Sequence, residues 1–369
     1  MSLDLSQKRR FYEFLCSSSA AGNAPKAMAP PAVLDVNQRP SHSAGGPMHS
    51  LGPINGSYRP ADVCTNVPHP ARMYDYFLGG KGHYEVDRTA AEEVVRRVPE
   101  VIDSALANRA WMRRVVRHLA EKGVRQFLDL GTGLPTEPNL HQVAQSVAVD
   151  AHVLYVDNDP IVLTHAQALL VSNKPGQVEY AHGDLRDPQD IVEMARSLDI
   201  FDWGQPIALV LSAIAHFLTE EDDAVGIIAT FRDALPPASY LALSHATGDF
   251  QHDRAAHGAA VYDEYQATAG VTMRSLKQIE ALFAGFTLVD PGVVQIPLWN
   301  PDEEVTAEEL ARVWLYGGIG QKVAACETTS PSAVANSEER TVPTPVETPV
   351  KPSACLWDAR SYSPARDNA

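Results

Sequence analysis

An apolar run of five residues, Gln126-Phe127-Leu128-Asp129-Leu130, halts abruptly on Gly131-Thr132-Gly133. Two glycines one residue apart let a chain turn tightly and let a ligand reach the backbone with no Cβ in its way. The pattern recurs: residues 152–156 form an apolar run ending at Asp157, and residues 178–181 form another ending near Gly183-Asp184. Helical stretches separate these runs. Residues 104–122 place Leu106, Trp111, Val115 and Leu119 near one face and stop at Gly123. Residues 137–147 read as helical, and Asp159-Pro160 opens the next helix with a cap and a first-turn proline. Residues 207–211 are continuously apolar, which suits a strand buried on both faces, and a helix at 220–234 leads to a strand at 240–244. Ser275 and Gln278 make a capping box for a helix at 275–283, and runs at 286–289 and 293–298 around Pro291-Gly292 predict a closing hairpin. Repeated strand–helix units mean an α/β fold, with a mostly parallel sheet and helices on both faces.

The two ends break this rhythm. Residues 1–62 are rich in Pro, Ser, Gly and Ala, and residues 323–369 carry Pro343, Pro345, Pro349 and Pro352; neither shows a sustained apolar period. Such segments bury too little apolar surface to offset their ordering entropy, so disordered tails are expected around a domain at 63–322. A short docking helix at 11–15 is the alternative for the first tail. With 46 acidic and 30 basic residues the net charge is −16, which argues against holding nucleic acid or anionic lipid by broad electrostatics. No run reaches the roughly 18 apolar residues of a membrane span. Cys16, Cys64, Cys326 and Cys355 form no CxxC pair, so a closely spaced zinc site is excluded and a cytoplasmic setting is expected.

Ligands of parallel sheets bind at the carboxyl ends of the strands, and three carboxylates fall there. Asp129 precedes the glycines, Asp157 is placed to accept both hydroxyls of a ribose, and Asp184 is placed to receive the exocyclic amine of an adenine. Gly131, Thr132, Gly133, Asn158 and Leu185 complete the expected cofactor lining. Two nucleoside cofactors compete for this layout. A nicotinamide dinucleotide wants a third glycine for close helix packing, but Thr136 stands at that position, after Pro135. Asp129 would also repel its pyrophosphate, by up to a few kcal/mol at an effective dielectric of about 20. S-adenosylmethionine carries an ammonium and a sulfonium, which the same carboxylate attracts. The sign of the charge selects S-adenosylmethionine.

Segments 127–136 (FLDLGTGLPT), 155–160 (YVDNDP) and 183–188 (GDLRDP) resemble a branch of S-adenosylmethionine-dependent methyltransferases typical of actinobacteria. So do 68–81 (PHPARMYDYFLGGK) with Tyr84 and Asp87-Arg88, 244–247 (SHAT) and 289–293 (VDPGV). The resemblance spans about residues 62–322. It implies a Rossmann-like class I methyltransferase with a seven-stranded sheet, an N-terminal helical cap at 63–122 and a core at 123–322. Gly82-His83 departs from the Asp-Asn more usual in the family, and residues 211–216 (LSAIAH) are more polar than usual. Both departures bear on the substrate more than on the cofactor.

Methyl transfer from a sulfonium needs donor and acceptor held about 3–3.5 Å apart and shielded from water. A base is required only where the acceptor must lose a proton, and His216, just after the fourth strand, is the candidate. Gly79-Gly80-Lys81 could close over the cofactor as a mobile loop, with Arg72 or Lys81 pairing its carboxylate. Tyr74, Tyr76 and Tyr84 could stack on the adenine or line the acceptor pocket. His245, His252 and His257 do not share a helical face, so no metal site is expected. These readings point to a methyltransferase acting on a small-molecule acceptor, with no nucleic acid or membrane partner. The alternative is a non-catalytic module that senses S-adenosylmethionine.

Overall fold

The computed structural model describes residues 64–169 and 176–323. The tails expected at 1–62 and 323–369, Val323 excepted, and the helix at 11–15 lie outside the described residues. The first strand, β1 (Gln126–Leu130), is buried throughout. It pairs in parallel with β2 (His152–Asp157) on one side and β4 (Ala208–Ser212) on the other. Parallel strand β3 (Val178–His182) flanks β2, and β5 (Tyr240–Ala246) flanks β4. Growth of the sheet therefore reverses direction between β1 and β4, which opens a crevice at their carboxyl ends.

The last strands close the sheet antiparallel. The spatial order is β3-β2-β1-β4-β5-β8-β6, where β8 is Leu315–Lys322 and β6 is Phe286–Leu288. A two-residue strand, β7 (Val294–Gln295), also pairs with β8, making eight strands. The expected hairpin at 286–298 is thus corrected: its two arms both pair with β8 and not with each other. β8 escaped the sequence reading because Gly317, Gly318 and Gly320 erase its apolar signal. The loss of side chains there has a packing reason, since a Cβ on Gly317 would sit 2.8 Å from Ile296 and 3.1 Å from the Trp111 ring.

Period two divides the strands between two cores. Leu128, Leu130, Leu154, Leu209 and Leu241 face helices that include α6 (Pro188–Ser197), α7 (Ala224–Ala234) and α9 (Leu276–Ala281). Phe127, Tyr155, Val210 and Ala242 face Trp111 and Val115 of α3 (Glu100–Glu121) and Val143 of α4 (Leu140–Val147). Helix α5 (Pro160–Leu169) follows β2, and α10 (Ala307–Ala311) precedes β8. The expected helix at 220–234 starts later, because Asp222 accepts from the Thr219 amide and Asp223 caps the helix through Gly226.

The cap is built from α1 (Pro70–Phe77), α2 (Glu85–Arg97) and the first turns of α3. Met73, Phe77, Ala90 and Val94 pack together with Val261 and Tyr262. The last two belong to α8 (His252–Glu264), which the chain supplies after β5. The cap is therefore clamped from both ends of the sequence, and it stands over the carboxyl edge of the sheet.

Candidate active site

A cleft opens at that edge. Asp129, Gly131, Thr132, Gly133, Asp157, Asn158, Asp184 and Leu185 all line it. Gly131 and Gly133 both adopt φ +67°, in the left-handed region that disfavours side chains. At Gly131 sterics add a second demand, since a Cβ would lie 2.3 Å from Ile214 Cγ1. The Gly131 amide donates to Val156 O at 2.8 Å and the Gly133 amide to Asp157 Oδ2 at 2.8 Å, so β2 holds the loop in shape.

The three carboxylates differ in charge state. Asp129 accepts from Thr132 Oγ1 at 3.2 Å, yet burial pushes its carboxyl up to about 7. Asp157 also accepts from the Asp159 amide at 2.9 Å, and burial lifts it to about 6 against backbone hydrogen bonds from Asp159, Gly133 and Asn158. Asp184 goes the other way. Burial alone would raise it, but hydrogen bonds from Arg186 and Asn158 outweigh that and hold it down at about 2. The cleft thus has two acids that titrate near neutrality and one held ionised at its rim.

Several cleft residues were not foreseen. Asn108 of α3 donates to Tyr74 Oη and Ser212 Oγ, each at 3.0 Å, and accepts from Ser244 Oγ at 2.6 Å. Ser244 in turn accepts from the amide of Ala213, a non-glycine residue at φ +55°. This conformation costs about 1–2 kcal/mol, and the network fixes it at the cleft floor. The signal was present in α3, where Asn108 interrupts the buried stripe of Ala105, Trp111, Met112 and Val115. Arg109 also lines the cleft, its Nη2 donating to Thr136 O at 2.7 Å and Pro138 O at 3.0 Å.

His216 lies in a 3-10 turn after β4 and is buried at the boundary between the sheet and the cap. Burial, with His245 and Arg274 nearby, drives its pKa well below the ordinary value, so the imidazole is neutral. Its Nδ1 lies 3.4 Å from the Ala246 amide. His245 is fully engaged: Nδ1 donates to Ala246 O at 2.6 Å and Nε2 accepts from Arg274 Nη1 at 3.0 Å. Arg274 also donates to Ala215 O and Leu218 O, which bracket His216 and Phe217.

Arg72, Tyr76 and Lys81 are corrected, for none of them lines the cleft. Arg72 is 1% exposed and its guanidinium is paired with Asp87 and Asp159, while Nη2 donates to the carbonyls of Cys64 and Val67. Tyr76 Oη donates to Glu92 at 3.4 Å and its ring meets His83 edge-on. Lys81 points to solvent from a loop that Asp75 ties down, accepting from the Gly82 amide at 2.8 Å with His83 Nδ1 at 3.1 Å. The Gly82-His83 departure thus serves this anchor, which ties the segment expected as a lid to Asp75. Tyr74 reaches the cleft, whereas Tyr84 lies against Arg72. Among the described residues no His, Cys, Asp and Glu side chains gather into a group of three that could hold a metal. Among those residues, too, no helix is long and apolar enough to cross a membrane.

Comparison with known proteins identifies the family. A family model described as S-adenosyl methyltransferase matches residues 57–323. A DUF574 family protein from Streptomyces avermitilis MA-4680 is 42% identical, with a TM-score of 0.66, over 70% of this chain and 98% of that one. A candidate methyltransferase from Thermobifida fusca YX is 38% identical, with a TM-score of 0.66, over 73% of this chain and 100% of that one. No curated protein matches the chain.

Proposed function

The chain belongs to the S-adenosyl methyltransferase family and is an S-adenosylmethionine-dependent methyltransferase; from that premise we propose how its cleft serves the reaction and what it methylates. The observation that carries the reading is the convergence of Asp129, Asp157 and Asp184 on one glycine loop within one cleft. The residues fit the cofactor. Asp129 matches its ammonium, Asp157 the ribose diol and Asp184 with Asn158 the adenine amine, while Leu185 offers the ring an apolar face. Gly131 and Gly133 let the backbone approach, and Thr132 orients the Asp129 carboxylate. The role expected of Arg72 or Lys81 passes to Arg109, the guanidinium on the wall beside the loop, which pairs the cofactor carboxylate. When bound, S-adenosylmethionine supplies an electrophilic methyl group on a positively charged sulfur.

The acceptor in this reading is a small molecule and not nucleic acid. A net charge of −16 and acid-lined cleft walls both disfavour a polyanion. His216 stands on the acceptor side of the site, and its neutral state avoids a like charge beside the sulfonium. We place the domain at residues 63–322 and its work in the cytoplasm, the latter on the scarcity and scatter of cysteines. Calorimetry with S-adenosylhomocysteine and with NADH tests the cofactor: the first should bind and the second should not. Transfer of labelled methyl into the small-molecule fraction of a cell extract, with none into RNA or DNA, tests the acceptor class.

A further inference from the structure

Beside the cofactor cleft lies a second hollow, walled by the cap, by α8 and by the ends of β5 and β8. Pro70, Tyr74, Ala213 and Phe217 line both spaces, so the two share a wall. The second differs in its chemistry: among the described residues no Asp, Glu, Lys or Arg side chain lines it. Phe77, Val98, Tyr262, Met273 and Trp314 line it, and among the described residues His216 is the only imidazole there. Within the described residues Nε2 of that imidazole has no hydrogen-bond partner, which leaves it free to meet a ligand.

We propose that this chamber is the acceptor site and that it takes an uncharged, largely apolar ring compound bearing a single hydroxyl or amine. The proposal rests on the cofactor placement argued above and adds the substrate class. An ionised acceptor would have to leave water for walls that offer no counter-charge, a loss of several kcal/mol per ion. An apolar ring loses nothing polar and gains burial against aromatic and branched side chains. The acceptor's heteroatom points past Tyr74 and Phe217 toward the cleft. Its lone pair forms the bond to the methyl carbon as the carbon–sulfur bond breaks, with that electron pair left on sulfur. The proton of the methylated heteroatom passes to His216 and on to solvent. Proton loss in step with methyl transfer avoids a free oxonium, and the acidity that develops on the heteroatom lets even this weakly basic imidazole accept the proton. Arg274 is a positioning residue, since it holds the turn that carries His216 through Ala215 O and Leu218 O.

The test uses the full-length protein saturated with S-adenosylhomocysteine and titrated with 2-naphthol or its anionic counterpart, 2-naphthoate, at pH 7.5. The expected result is at least tenfold tighter binding of 2-naphthol. Ala259→Phe, on α8, and Val271→Trp, in the loop before α9, each fill the chamber. Each should weaken 2-naphthol tenfold or more while S-adenosylhomocysteine binds as in the parent, which also reports that the variant is folded. Equal or tighter binding of 2-naphthoate would overturn the proposal, as would 2-naphthol binding that is absent or indifferent to both variants. If S-adenosylhomocysteine itself fails to bind the parent protein, it is the cofactor placement that has failed, and the two failures are thereby told apart.

Discussion

Cofactor affinity should fall steeply as the solution is acidified, and the structure supplies the size of the fall. In the free protein burial holds Asp129 at about 7 and Asp157 at about 6. A bound ammonium beside Asp129 favours its ionised form and pulls its pKa down. Going from pH 8.5 to 5.5, binding must then expel a proton that the free protein holds. For a group at about 7 the loss is about 30-fold, or about 2 kcal/mol, and Asp157 adds about fourfold. The ligand's own amine gains protons over the same range, which would strengthen its attraction to a carboxylate, so a loss of affinity has to come from the protein. The assay is calorimetry with S-adenosylhomocysteine at fixed ionic strength across that range. Asp129→Asn should bind more weakly at pH 8.5 and keep only about a fourfold pH dependence from Asp157. Stability should move oppositely. A carboxyl whose folded pKa is raised favours folding at low pH, and that stability is lost as pH rises through about 7. Removing the ionisable group should therefore raise the thermal midpoint of the ligand-free protein at pH 8.5, by up to about 4 kcal/mol of stability. Affinity that stays flat or rises on acidification, or an Asp129→Asn protein with unchanged affinity and midpoint, would refute the argument.

Further outcomes follow from individual contacts. Gly131→Ala should destabilise by about 2–3 kcal/mol and abolish cofactor binding, because strained φ and the Ile214 collision combine; Gly133→Ala, with open space around its Cβ, should lose only about 1 kcal/mol. Thermal unfolding and calorimetry on the pair separate the two terms. Arg109→Met should weaken S-adenosylhomocysteine about tenfold, whereas Lys81→Ala should leave its affinity unchanged. Arg72→Met should lower stability by about 3–5 kcal/mol in denaturant unfolding, since it strands two buried carboxylates, Asp87 and Asp159. His216→Gln should reduce turnover by about 10²-fold while leaving cofactor affinity intact, as single-turnover kinetics on an identified acceptor would show.

The sheet and the cofactor end of the site were legible in the sequence because both are local. The five parallel strands announce themselves by apolar runs, and Gly131, Gly133, Asp129, Asp157 and Asp184 each sit where a run ends. The carboxylates needed no knowledge of distant partners, only of strand polarity. Other parts could not be read this way. β8 gave no apolar signal because Trp111, Ile296 and other neighbours occupy the space its side chains would fill. The role of Arg72 was misjudged because a cation in a polar segment looks the same whether its carboxylate partner is a ligand or Asp87 and Asp159.

Chain order alone therefore settled the α/β class, the parallel direction of β1 to β5 and the sign of charge around the glycine loop, since period and spacing are properties of neighbouring residues. Which side chains meet was decided only by folding. Asn108, Ser212 and Ser244 come from three separate elements, and they meet because α3 packs across β4 and β5. The apolar chamber depends on α8 returning to pack against α1 and α2, a contact between residues more than 150 positions apart. Its emptiness of charge is a property of that enclosure, and no single segment contains it.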